Sequence, residues 1–276
     1  MALVLQAASR EALADLLARL DTYAGQVGAD DLEQLGDQLF AVTRVLAGQR
    51  TLRRHLADPS VPASSRTALV ERLFRGQLSQ PALEAVGAAA SVRWSQPQDL
   101  VDGMQAMARS ALLAAAEKSG GLDEVEDELF RFGRILDREP RLAGLLADDS
   151  TPLEGRVELL DGLLAGKVSR ATGVLLRQSV RLPRGQHLDI IAEELAELTA
   201  ARRERSVARI TTPVRLTTRQ EDRLRDTLGR LYGRAMSLQV DLDPSLLGGL
   251  VVRVGGEVID GSVATRLEAA RRRLSR

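Results

Sequence analysis

The sequence predicts a mainly α protein in which two tandem helical bundles, offset by ninety residues, precede a small α+β domain. Three observations carry that prediction. Only seven of 276 residues are aromatic, so Leu, Val, Ala and Ile must build the core, which favours closely packed helices. The segment LRRHLADPSVPASSRTALVERLFRGQLS (52–79) recurs as LAGLLADDSTPLEGRVELLDGLLAGKVS (142–169). Beyond Arg205 the helical pattern gives way to β-branched runs and paired glycines. The expected boundaries are 1–105 for the first bundle, 106–205 for the second and 206–276 for the C-terminal domain.

Leu and Ala matches alone would mean little between two Ala/Leu-rich stretches; retained punctuation marks a duplication. Asp58, Ser60, Pro62, Arg66, Gly76 and Ser79 return as Asp148, Ser150, Pro152, Arg156, Gly166 and Ser169. Helical spacing puts Leu13, Leu16, Leu17 and Leu20 on one face, and Val125, Leu129, Phe132 and Leu136 on another. Each Asp-x-Ser-x-Pro element reads as a turn, with Asp and Ser satisfying nearby backbone donors before Pro opens the next helix. Residues 98–118 close the first copy and open the second without a break, which predicts one continuous or kinked helix.

In the C-terminal part, Val207–Thr217 is β-branched and interrupted by Pro213, as expected of an edge strand. Thr218 and Glu221 have the spacing of a capping box for a helix that places Leu224, Leu228 and Leu231 on one face. Strands are expected at 237–240, 250–254 and 257–259. Gly255-Gly256 fits a type I′ hairpin turn, with both residues at positive φ. Asp260-Gly261-Ser262 caps a final helix expected to bury Val263, Leu267, Ala270 and Leu274. The order is β-α-β-β-β-α.

Composition narrows the function. Formal net charge is zero, with 38 basic and 38 acidic residues, which argues against bulk nucleic-acid binding. The charge is uneven: residues 206–276 hold thirteen bases and eight acids, a net +5. With no cysteine there is no disulfide, thiolate metal site or thiol nucleophile. No stretch approaches the ~20 apolar residues of a membrane span, and the N-terminus lacks a signal-peptide pattern. The expectation is a protein of a reducing compartment with no membrane span of its own.

The glycines are the one candidate for nucleotide chemistry, and they fail as one. A dinucleotide fingerprint or P-loop lies between a strand and a helix. Gly248-Gly249 instead precedes a strand, and Gly255-Gly256 separates two. Close backbone packing and a turn are the readings that remain. His55 and His187 occupy non-equivalent places in the repeat and have no partner at metal-ligand spacing. The acidic runs Glu126-Asp127-Glu128 and Glu193-Glu194 read as solvated faces, Trp94 as a core or groove-edge residue, and Arg271–Arg273 as a solvated helix end. No catalytic, cofactor or metal constellation assembles.

DPSLLGGLVVRVGGEVIDGSVATRLEAARRRL (243–274) resembles the C-terminal signature of the delta subunit family of F-type ATP synthases, related to the oligomycin-sensitivity-conferring subunit. Its carriers are Asp243, Gly248, Gly249, Gly255, Gly256, Asp260, Gly261 and Ser262. LADPSVPASSRTALVERLF and LLRQSVRLPRGQHLDIIAEEL resemble further segments of the family. The duplication resembles the longer actinobacterial form, sometimes fused to a membrane-anchored stator subunit. The resemblance implies a non-catalytic stator component, peripheral on the cytoplasmic side of the bacterial membrane, without a cofactor. Its bundle would clasp the amphipathic N-terminal helix of an alpha subunit, and its C-terminal domain would bind b-type stalk subunits. On that basis the second copy's first and fifth helices are expected to form the groove, through Leu112, Ala115, Val174, Leu175 and Gln178. The alternative is a helical regulator whose basic C-terminal domain binds nucleic acid; the scarcity of lysines and aromatic stacking residues weighs against it.

Overall fold

The computed structural model describes residues 5–148, 150–232, 236–263, 267 and 271. The chain divides into two compact units, Met1–Thr199 and Ala200–Arg276.

The first unit is helical: α1 (Ala7–Ala24), α2 (Ala29–Gly48), α3 (Arg50–Ala57), α4 (Ala63–Phe74), α5 (Gln80–Ser91), α6 (Pro97–Lys118), α7 (Leu122–Arg138), α8 (Pro140–Ala147), α9 (Leu153–Leu164), α10 (Arg170–Arg181) and the part of α11 (Leu188–Ser206) up to Thr199. The repeat extends to individual bonds. The Ser79 N–H and hydroxyl both donate to Gln38 Oε1, at 3.0 and 2.7 Å. Ninety residues on, the same groups of Ser169 donate to the Glu128 carboxylate at 2.8 Å each. Glu128 is therefore buried, not part of a solvated acidic face as expected. Gly76 and Gly166 end their helices at φ +82° and +67°, the left-handed conformation that glycine adopts without a Cβ penalty. Ser60 and Ser150 each donate a backbone N–H, at 2.9 Å, and a hydroxyl to Asp58 and Asp148. Those bonds hold both carboxyls below their ordinary range.

α6 is the axis of the unit. Its residues are buried on every face, from Leu100, Val101 and Met104 to Leu112, Leu113 and Ala116. Small residues let neighbours approach: a Cβ on Gly103 would collide with the Trp94 indole, whose Nε1 donates to the Ala89 carbonyl at 2.8 Å. Trp94 is thus a core residue. A single apolar core runs through both copies, and the boundary expected between residues 105 and 106 falls inside this unbroken helix.

Arg66 pins the first copy's turn. Only 5% exposed, its guanidinium donates to the carbonyls of Val61, Leu56, Val92 and Ser91 at 3.0–3.2 Å. Arg66→Met leaves those acceptors without their charged donor, and is expected to destabilise the helical unit by about 3 kcal/mol. The check is a lower urea midpoint at an unchanged m-value.

The second unit contains β1 (Val207–Thr212), α12 (Thr218–Tyr232), β2 (Ser237–Leu242), β3 (Val251–Val254) and β4 (Glu257–Asp260). The sheet order is β2-β1-β3-β4, with β1 parallel to β2 and antiparallel to β3. β1 is therefore central and not an edge strand. Pro213 stands one residue beyond it, where its missing N–H costs the ladder nothing. Ala208 and Ile210 are fully buried there against Leu228, Met236, Val252 and Val254.

Other local expectations shift by one residue or one face. The capping box belongs to Thr217 and Gln220: the Gln220 N–H donates to Thr217 Oγ1, and the Thr217 N–H to Gln220 Oε1. Leu231 is 63% exposed, because the buried stripe of α12 runs through Leu224, Leu228 and Tyr232. In the β3–β4 hairpin only Gly255 has positive φ, so the turn has the φ pattern of type II′ instead of I′. Val263 and Leu267 are helical but exposed, at 36% and 59%; Ala270, Leu274, Arg272 and Arg273 lie outside the described residues.

Candidate partner-helix groove

Two sites follow from the sequence: the glycine-rich stretch and the expected groove. In the first, the halves of the stretch meet each other. Gly261 N–H donates to the Leu250 carbonyl at 3.0 Å, and Val263 N–H to the Gly248 carbonyl at 2.9 Å. Gly249, at φ +81°, lies so close to this crossing that a Cβ would collide with the Gly261 carbonyl oxygen and sit 2.9 Å from Ser262 Cα. Asp260 Oδ1 accepts the Ser262 N–H at 2.8 Å. Asp243 accepts both the N–H and hydroxyl of Ser245, which lower its pKa. Gly256 completes the hairpin turn. The backbone here is satisfied by itself, so the stretch is architecture. Its apolar side chains are not: Leu247 is 79% exposed, and Val263 and Leu267 follow on the outside of the crossing.

The chain itself occupies the α6 side of the expected groove, while along α10 a cleft of about 460 Å³ stays open, lined by Asp37, Arg170, Val174, Arg177 and Gln178 among others. Leu112, Ala115, Val174 and Leu175 are buried. α2 of the first copy packs on α6 and pairs with α10. Its Gly36 backs onto Leu112, where a Cβ would come within 2.8 Å of the leucine side chain. Leu32 packs with Ala114 and Ala115. Along α10, Arg170 pairs with Glu33 at 2.7 Å and Asp37 at 3.5 Å. Arg44 donates to Gln178 Oε1 at 2.7 Å. The structure does bring Leu112, Ala115 and Gln178 together, but around an internal helix.

The equivalent groove of the first copy, between α1 and α5, is open. It forms an apolar cleft of about 220 Å³ floored by Leu16, Leu20 and Met107 and walled by Tyr23, Ala85 and Ala88. Arg19 and Glu84 give it one charge of each sign. Partial burial, with Asp31 and Glu84 nearby, raises the Tyr23 phenol above its ordinary value. The run QPALEAVGAAAS along α5 is the signal that could have found it. Small residues there leave a trough, whereas α10 presents Val174 and Gln178.

His55 ends α3 and His187 precedes α11, both exposed. Among the described residues no group of three or more His, Cys, Asp or Glu could hold a metal ion. No helix among them is long and apolar enough to cross a membrane.

The sequence profile of the family described as ATP synthase delta (OSCP) subunit matches residues 108–274, which takes in the second copy and the C-terminal unit. ATP synthase subunit delta of Streptomyces avermitilis is 46% identical over 268 residues, 97% of this chain and 98% of that one. Subunit delta of Corynebacterium glutamicum (strain R) is 45% identical, over 97% and 98%. Subunit b-delta of Mycobacterium sp. (strain KMS) is 45% identical over 98% of this chain; the chain spans only 61% of that longer relative. A chain of a Toxoplasma gondii mitochondrial ATP synthase hexamer matches 61% of this chain at 21% identity with a TM-score of 0.29, too low to bear on the fold. With half of the chain exceeded by the profile match and nearly all of it by its relatives, the chain belongs to the ATP synthase delta (OSCP) subunit family.

Proposed function

We propose that the chain is a non-catalytic peripheral-stalk component of an F-type ATP synthase, held at the cytoplasmic face of the bacterial membrane by its partners. It holds the catalytic head against the torque of the rotating shaft. In this reading the N-terminal amphipathic helix of an alpha subunit docks in the α1–α5 groove, and b-type stalk subunits engage the basic C-terminal unit. The observation that carries it is the contrast between the two copies. In the second copy α2 packs on α6 and pairs with α10, an amphipathic helix held by two others; the α1–α5 cleft shares that site's α5 counterparts Glu84, Ala85 and Ala88 and is left open. The exposed Leu247, Val263 and Leu267 support an apolar contact for the stalk.

The test is titration of the full chain with a synthetic peptide of the alpha-subunit N-terminus. Ala85→Glu puts a charge into the trough and is expected to weaken binding at least tenfold, about 1.4 kcal/mol. Gly87→Glu, on the same helix with open space beside it, should leave affinity within about twofold. Equal affinities for wild type and Ala85→Glu would remove the groove from the proposal.

A further inference from the structure

The stripe of α2 that occupies the second copy's groove runs through Glu33, Asp37, Phe40 and Arg44, at spacings of four, three and four residues. Its ends are tied by the Arg170 and Gln178 contacts, and Phe40 between them is 3% exposed. Ninety residues on, α7 carries the same stripe: Asp123, Asp127, Phe130 and Arg134. Here Phe130 is 56% exposed, the largest exposure of any aromatic ring among the exposed apolar side chains of the helical unit. Arg134 of the same helix lies over it, 5.8 Å from the ring centroid. The Asp127 carboxylate lies 3.7 Å from Arg131 on its own helix, whose Nε also donates to the Asp127 carbonyl at 3.3 Å.

We infer that this α7 stripe is a second docking surface, and that its occupant is a helix pair of another synthase subunit. The chain's own α2 interface dictates the chemistry: a basic residue opposite Asp127, an apolar slot for Phe130, and an amide or carboxylate acceptor for Arg134. Arg170 and Gln178 stand eight residues apart on one helix, so basic and acceptor groups about 12 Å apart are required. A second copy of this chain does not meet that requirement. In its open groove the counterparts of Arg170, Val174 and Gln178 are Gln80, Glu84 and Ala88. They would give Asp127 an uncharged amide in place of a cation, bring a carboxylate to the slot that Phe130 needs, and set Ala88 where Arg134 needs an acceptor.

The inference rests on membership of a synthase complex, so the experiment carries a control for that. In the assembled synthase, p-benzoylphenylalanine replaces Phe130 in one sample and Ala85 in another, and photocross-links are mapped by mass spectrometry. At position 130 the expected product joins a different subunit, on a helix with Arg or Lys and an acceptor at the stated spacing. Adding Asp127→Arg should lower its yield about tenfold by like-charge repulsion. Cross-links at 130 confined to this chain or a second copy, their absence, or a yield indifferent to Asp127→Arg would overturn the inference. If position 85 cross-links to an alpha subunit while 130 fails, the stator reading stands and the α7 surface alone is lost. If neither reaches another subunit, both fall.

Discussion

Gly249→Ala is expected to unfold the C-terminal unit while the helical unit persists. The left-handed φ of +81° costs an L-residue ~1–2 kcal/mol before any contact is considered. The new methyl then meets the Gly261 carbonyl and Ser262 Cα, which are backbone and cannot rotate away. Relief requires the two halves of the glycine stretch to part, breaking the Gly261–Leu250 and Val263–Gly248 bonds at ~1 kcal/mol each. The sum, about 3–4 kcal/mol, is a large fraction of what so small a unit possesses. Hydrogen exchange read by mass spectrometry should show β1 and β3 losing protection while α2 and α6 keep theirs. Gly256→Ala, with open space and no positive φ, should stay within about 0.5 kcal/mol of wild type. Undiminished protection of β3 in Gly249→Ala would contradict the crossing described above.

Gly36→Leu should have the second largest effect, at the seam between the copies. Even its Cβ would sit 2.8 Å from Leu112 side-chain atoms and 3.3 Å from the Ala108 carbonyl oxygen. Leu112 is itself buried, so it has nowhere to move. Replacing a mid-helix glycine recovers ~1 kcal/mol of helix propensity, but overpacking and the lost Arg170 and Arg44 contacts outweigh it. The net expectation is about 3 kcal/mol of destabilisation. Leu112→Ala makes room, so Gly36→Ala should cost less in that background than alone, a coupling that a double-mutant cycle in urea measures directly. Strict additivity would mean that α2 does not lie where Gly36 meets Leu112.

Local chemistry was readable from the sequence; its long-range partners were not. The repeat was visible because Asp58, Ser60 and Gly76 act within a turn of their own positions, so the same letters do the same work in both copies. Phe40 and Phe130 show the limit. They are the same residue in the same frame of equivalent amphipathic helices, yet one is enclosed in the core and the other lies at the surface. For the same reason the groove was assigned to the copy that the family profile matches, while the open trough lies in the copy outside it. Pairing partners are equally non-local, so Pro213 suggested an edge strand although β1 ends just before it. The one-residue shift of the capping box from Thr218 to Thr217 has a different origin: both threonines have Gln or Glu three residues on, and spacing alone does not choose.

α6 gives the duplication a mechanical meaning. Two bundles tied by a flexible linker would swing under load and dissipate displacement as they did so. Here the junction is the most enclosed helix of the unit, about 33 Å of continuous backbone gripped from all sides. Bending it would tear contacts in both copies at once, so the helical unit responds to a twisting load as a single stiff beam. On the proposed stator role, compliance under such a load is expected outside this unit.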